Sequence, residues 1–120
     1  MSLSPDKDKL LAKNLKRADK ACRGIESALK IALDDELIAF GVDAWEDCSP
    51  EVKLTAYIRI PSWDVEQTYD IGTFTDCYIP EVQEIMDGAW QLLAWFILEH
   101  MVSDDLRASL LYPLGYVKEQ

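Results

Sequence analysis

Apolar residues recur along the first third of the chain at Leu11, Leu15, Ala18, Cys22, Ile25, Leu29 and Ala32, in steps of 4, 3, 4, 3, 4 and 3. That spacing returns to one side of a helix every turn, so it predicts an amphipathic helix over residues 5–33. Its start is marked by Ser4 as N-cap, Pro5 at the first helical position and Asp6 in the first turn, where the helix dipole favours an acid. At about 1.5 Å per residue this helix is on the order of 43 Å long, more than a compact domain of this size usually needs to cover. Ala18, Ala21, Cys22 and Gly24 thin the seam at its middle, where a neighbour can approach closely and Gly24 can kink the helix. The same seam would serve a coiled-coil pair; packing on the chain's own body is the preferred reading.

Asp34-Asp35-Glu36 interrupts the period, and the pattern then changes to alternation. Ile38, Phe40, Val42 and Ala44 alternate with Ala39, Gly41 and Asp43 as a first strand, with helical continuation through Phe40 as the competing reading. Residues 46–50 are a turn by composition, after which Val52, Leu54, Ala56, Ile58 and Ile60 alternate cleanly with Lys53, Thr55, Tyr57 and Arg59. Pro61-Ser62-Trp63-Asp64 makes the next turn, and residues 67–74 supply a third strand with Gly72 at a bulge or irregularity. Short links between three consecutive strands imply an antiparallel meander.

From Pro80 the helical period returns at Val82, Ile85, Met86, Ala89, Leu93 and Phe96, with Glu81, Glu84 and Asp87 in the early turns, predicting a second long helix to about Val102. Residues 89–98 are apolar nearly all round, so this helix is expected to sit between layers or in an interface. Ser103, Asp104 and Asp105 start a short third helix over 103–112, ended by Pro113 and Gly115. The expected fold is α+β in the order α-β-β-β-α-α, one domain over residues 1–120, with both long helices on one sheet face.

Charge divides this chain sharply. Residues 1–30 hold eight cations against four acids, a net of +4, whereas residues 31–120 hold four against eighteen, a net of −14. Lys9, Lys13, Lys16, Lys20, Arg23 and Lys30 form a basic stripe roughly opposite the apolar seam, so residues 1–33 are a basic helix and 34–120 an acidic body. With 49% hydrophobic residues and four tryptophans the acidity belongs to a folded body, not to a disordered tail. The longest apolar stretch, 89–98, falls short of the roughly 20 residues a membrane span needs, and the N-terminus has no apolar leader core. Three cysteines without a CxxC pair fit reduced thiols and a cytoplasmic location.

Candidate chemistry is sparse. Asp43, Glu46 and Asp47, or Glu81, Glu84 and Asp87, could hold a hard cation or move protons, but neither group has calcium-loop spacing or a neighbouring histidine. His100 with Asp104 could activate Cys22, Cys48 or Cys77, yet nothing local supports that arrangement. The five glycines are isolated, so no phosphate cradle is expected. An enzyme, a cofactor and a metal are therefore not expected. The basic stripe could follow phosphates, but the acidic body would repel a polyanion within a Debye length of about 8 Å.

The acidic body is the stronger clue. Residues 31–90 carry fourteen acids against Lys53 and Arg59, interleaved with exposed-type aromatics. Carboxylates steer an encounter with a basic surface and aromatics anchor it. The expectation is a non-catalytic module that binds a basic or nucleic-acid-binding protein, as an inhibitor, an immunity-type protein or an accessory factor, and that can act by nucleic-acid mimicry. Its expected partner-binding residues are Asp43, Trp45, Glu46, Asp47, Tyr57, Trp63, Asp64, Glu66, Asp70 and Asp76. The alternative is a self-assembling subunit, a homo-oligomer in which the basic helix of one copy meets the acidic body of the next.

Overall fold

The computed structural model describes residues 4–46 and 51–100. They form α1 (Pro5–Ala32), β1 (Ala39–Glu46), β2 (Val52–Ile60), a 3-10 turn (Pro61–Trp63), β3 (Val65–Phe74) and α2 (Val82–His100). This is the expected α+β order: a long helix, a three-stranded antiparallel sheet in the order β1-β2-β3, and a second long helix. The short helix expected at 103–112 and the turn residues 47–50 lie outside the described residues.

The alternation in β2 organises the sheet. Val52, Leu54, Ala56, Ile58 and Ile60 are all buried, while Lys53, Thr55, Tyr57 and Arg59 point to the other face and stay open or half-open. Burying a Leu, Ile or Val side chain is worth about 1.5–3 kcal/mol, so one face must be covered and the other can remain wet. The buried residues of β2 join those of α1 and α2 in one apolar cluster, which puts both helices on the same side of the sheet. β2 pairs with β3 in register except at one shift, where Leu54 faces Gly72 and Thr55 faces Asp70. Ile71 is the extra residue, and the bulge turns its side chain toward α2. A Cβ at Gly88 would lie 2.4 Å from Ile71 Cγ1, so glycine at this position lets the helix and the strand close together.

In α1 the buried stripe is Leu11, Asn14, Ala18, Cys22, Ile25 and Leu29, with Leu15 and Ala32 at its margin. Asn14 is the polar member that the apolar period passes over. Its Nδ2 donates to the carbonyl of Pro80 at 2.9 Å, tying α1 to the start of α2. Ser4 occupies the N-cap position without a side-chain cap bond, and its N–H instead donates to Asp76 Oδ1 at 2.8 Å. At the other end Asp35 N–H reaches the Lys30 carbonyl at 2.8 Å and Asp34 N–H the Ile31 carbonyl at 3.3 Å. This is a Schellman-type stop, with Asp34 and Asp35 at φ 59° and 63° where glycine is usual. Aspartate tolerates left-handed backbone better than most residues, and the stop ends the helix well before Phe40.

All six cations of the basic stripe are exposed, but Arg23 also reaches the edge of the sheet. Its guanidinium donates to Glu26 Oε2 at 2.8 Å and to the carbonyl of Phe40, and Glu26 Oε2 accepts the Phe40 N–H at 2.9 Å. Two side chains of α1 thus satisfy both backbone groups of Phe40 on the outer edge of β1.

α2 buries Ile85, Met86, Gly88, Ala89, Leu92, Leu93, Phe96 and Ile97 against the sheet and α1, a wide face that accounts for most of its apolar excess. Trp95 and Leu98 remain on its solvent side, with Trp95 Nε1 donating to Glu99 Oε1 at 2.7 Å. No helix of the described residues is long and apolar enough to cross a membrane.

Phe96→Ala, in the centre of this core, is expected to destabilise by about 3–5 kcal/mol in urea unfolding. Asn14→Ala, which strands the Pro80 carbonyl, is expected to cost about 1–3 kcal/mol. By contrast, replacing Lys9, Lys13, Lys16 and Lys20 together by Glu should leave the circular dichroism spectrum of the folded state intact; its loss would mean that the stripe is packed.

Candidate functional site

The expected partner-binding residues separate into three places. Asp43, Trp45, Tyr57, Glu66 and Asp70 share the helix-free face of the sheet. The register lays them in rows there: Trp45 beside Lys53, Asp43 beside Thr55 and then Asp70, Gly41 beside Tyr57, and Ala39 beside Arg59 and then Glu66. Lys53 and Arg59, the two cations of the acidic region, sit on this same face. Lys53 Nζ lies 3.4 Å from Asp70 Oδ2, and Arg59 Nε lies 3.6 Å from Glu66 Oε2. The Arg59 guanidinium also rests over the Tyr57 ring, 4.5 Å from its centroid. Tyr57 in turn covers Gly41, where a Cβ would come within 2.8 Å of the phenol oxygen. The face is therefore mixed in charge rather than acidic, with Trp45, 60% exposed, at its corner.

Trp63 and Asp64 lie instead in the β2–β3 turn, at the end of the molecule where α1 stops and β1 begins. Trp63 stacks on Phe96 with centroids 6.4 Å apart and an interplanar angle of 19°, and it is 39% exposed. Asp64 caps the 3-10 turn at φ 54°. Ser62 Oγ donates to Glu36 Oε1, joining this turn to the α1–β1 loop. That contact ties the loop that carries Asp34, Asp35, Glu36 and Leu37 to the turn that carries Trp63 and Asp64, with Leu37 68% exposed. None of these four carboxylates has a cation within ion-pair distance among the described residues. An open hollow of about 190 Å³, lined by Arg59, Pro61, Asp64, Val65 and Glu66, connects this end to the sheet face.

Asp76 is elsewhere, held by Ser4 at the start of α1. Asp47 lies outside the described residues, and of Glu46 only the backbone, the last residue of β1, is described. The fold therefore disperses the expected acids over separate places, and Asp34-Asp35-Glu36, in sequence a break in the helix, lies at the loop end. The missed signal was that two turns joining elements of the same sheet end both carry aspartates suited to left-handed backbone.

Among the described residues, the groups weighed for catalysis lie apart. Cys22 lies in the core beneath α1, and burial pushes its thiol up to about 11. His100 packs its ring on Phe96 at a centroid distance of 5.0 Å, and its Nε2 is 3.9 Å from Glu99 Oε2; Asp104 and Cys48 lie outside the described residues. Tyr78 donates to Glu84 Oε1, and that hydrogen bond raises its phenol above the ordinary value. Among the described residues no three His, Cys, Asp or Glu side chains are placed to hold a metal ion. Comparison with protein-family models, curated proteins and solved structures gives no match.

The thiols provide a check. In the native protein Cys77, which is exposed, should react with a disulfide reagent at pH 8 while Cys22 reacts only on unfolding. Because the Cys22 thiol ionises at a higher pH folded than unfolded, its contribution to stability should be lost as pH rises from 9 toward about 11. Rapid native labelling at Cys22, read by peptide mass mapping, would contradict this placement.

Proposed function

We propose that the chain is a non-catalytic, acidic protein-binding module that occupies a basic or nucleic-acid-binding surface of a partner protein. The observation that carries the reading is the loop end, where the α1–β1 loop, with Asp34, Asp35, Glu36 and the exposed Leu37, meets the β2–β3 turn, with Trp63 and Asp64, through the Ser62–Glu36 hydrogen bond. Asp34, Asp35 and Asp64 are exposed, and none of the four carboxylates has a cation within ion-pair distance among the described residues. Carboxylates without a neighbouring cation act at a distance, raising the encounter rate with a cationic surface. The apolar side chains supply the contact once the partner arrives, and tryptophan is among the residues most often found as an anchor. The helix-free sheet face, with its internally paired charges, is a weaker attractor and serves as the rim. Inhibition, immunity to a toxic enzyme and nucleic-acid mimicry are all forms this activity can take.

A second reading has one observation in its favour. Lys9, Lys13, Lys16 and Lys20 are exposed, and no carboxylate of the described residues pairs with them. The basic helix of one copy could therefore meet the acidic end of the next, a head-to-tail contact that closes into a ring or extends as a filament.

Capture from a native lysate at low salt, elution in a salt gradient and mass spectrometry test both. The module reading expects one basic, nucleic-acid-binding protein, retained by the natural chain and lost by the D34N/D35N/E36Q/D64N variant. Recovery of only untagged copies of the chain supports self-assembly, and equal retention by the variant removes the loop end from the account.

A further inference from the structure

The two edges of the sheet are treated differently. On the outer edge of β1, Arg23 and Glu26 of α1 occupy the carbonyl and N–H of Phe40. Beyond β3 no strand follows among the described residues. The ten residues Val65–Phe74 contain neither proline nor a cation, and the bulge at Ile71, which can also blunt an edge, leaves the regular run 65–70 before it. An open edge is a template for another extended segment, whose backbone hydrogen bonds supply attachment and whose alternate side chains supply selectivity.

Charge decides which segment fits. In the regular run before the bulge, Glu66, Thr68 and Asp70 point to the helix-free face, and both acidic side chains are 66% exposed. A second copy of β3 paired antiparallel about Thr68 would set Glu66 opposite Asp70 twice over, and like charges directly across a sheet are destabilising. The edge is thus guarded against its own copies. A segment with Lys or Arg at every second position would instead place cations across from both carboxylates, extending the rows that Lys53 and Arg59 begin from the other side.

We propose that the outer edge of β3 accepts an extended basic segment of the partner protein as a fourth strand, with Glu66 and Asp70 selecting alternate Lys or Arg side chains. The inference rests on the module reading and names the partner's binding element. β3 follows directly on Trp63 and Asp64, so a strand added there ends against the loop end, and the two surfaces form one continuous contact.

The probe is the peptide acetyl-(Lys-Val)4-amide, with acetyl-(Glu-Val)4-amide as its control, and the readout is amide hydrogen exchange of the full chain by NMR. The basic peptide should slow exchange at alternate residues of 65–70 by about tenfold or more, leave β1 unchanged, and bind the E66Q/D70N variant about fivefold more weakly. The acidic peptide should do neither. Saturable binding that protects only the loop end overturns the edge proposal while leaving the module reading standing. Fast exchange along β3 at millimolar basic peptide also overturns it, and the capture experiment above then decides separately whether a basic partner exists. Protection of β3 before peptide is added overturns it as well, identifying a second copy if it depends on concentration and residues 101–120 if it does not.

Discussion

One-sided burial of β2 is the constraint on which the remaining structure depends. Five alternate residues from Val52 to Ile60 are removed from water while their neighbours are not, so every covering element must come to one side. A one-residue slip would carry all five to the other face, which is why the pairings with β1 and β3 hold register over nearly their whole length. With α1 and α2 committed to that side, the opposite face and the ends of the sheet are left to solvent. The surface available to a partner is the complement of the core.

What that surface can do follows from which charges are already paired. Exposed ion pairs such as Lys53 with Asp70 and Arg59 with Glu66 contribute about 0–1 kcal/mol each, so they are weak as stabilisers. They do cancel much of the field above the sheet face. At the loop end no ion pair cancels Asp34, Asp35, Glu36 or Asp64 among the described residues, and the exposed Leu37 and Trp63 lie on the same two turns. Asp34, Asp35 and Asp64 are also the non-glycine residues at positive φ among those described. Each occupies a place where glycine would relax the backbone, yet each presents a negative charge. The loop end thus keeps its charge at a conformational cost.

The fold was legible in the sequence because its signals are local and periodic: steps of three and four in α1 and α2, alternation in β2, and turn residues between the strands. The parts that escaped depend on residues brought together from far apart. Asn14 breaks the apolar seam, and its reason is a carbonyl 66 residues away. Arg23 belongs by spacing to a solvated stripe, but the edge of β1 claims it. The acidic body read as one surface because composition has no register. Only the pairing shows Lys53 and Arg59 answering Asp70 and Glu66, and only the Ser62–Glu36 contact draws the α1–β1 loop to Trp63. Among the described residues, α2 packs on β2, β3 and α1 and buries a wider face than a single seam.

The central claim, that unpaired carboxylates at the loop end steer a cationic partner onto the molecule, is tested most directly by the association rate with that partner as a function of ionic strength. Stopped-flow measurements from about 10 mM to about 150 mM salt should show the rate falling by about tenfold or more as the Debye length contracts from roughly 30 Å to 8 Å, with dissociation much less affected. An association rate indifferent to salt would contradict the account, since it would mean that the contact forms without the field on which the proposed function rests.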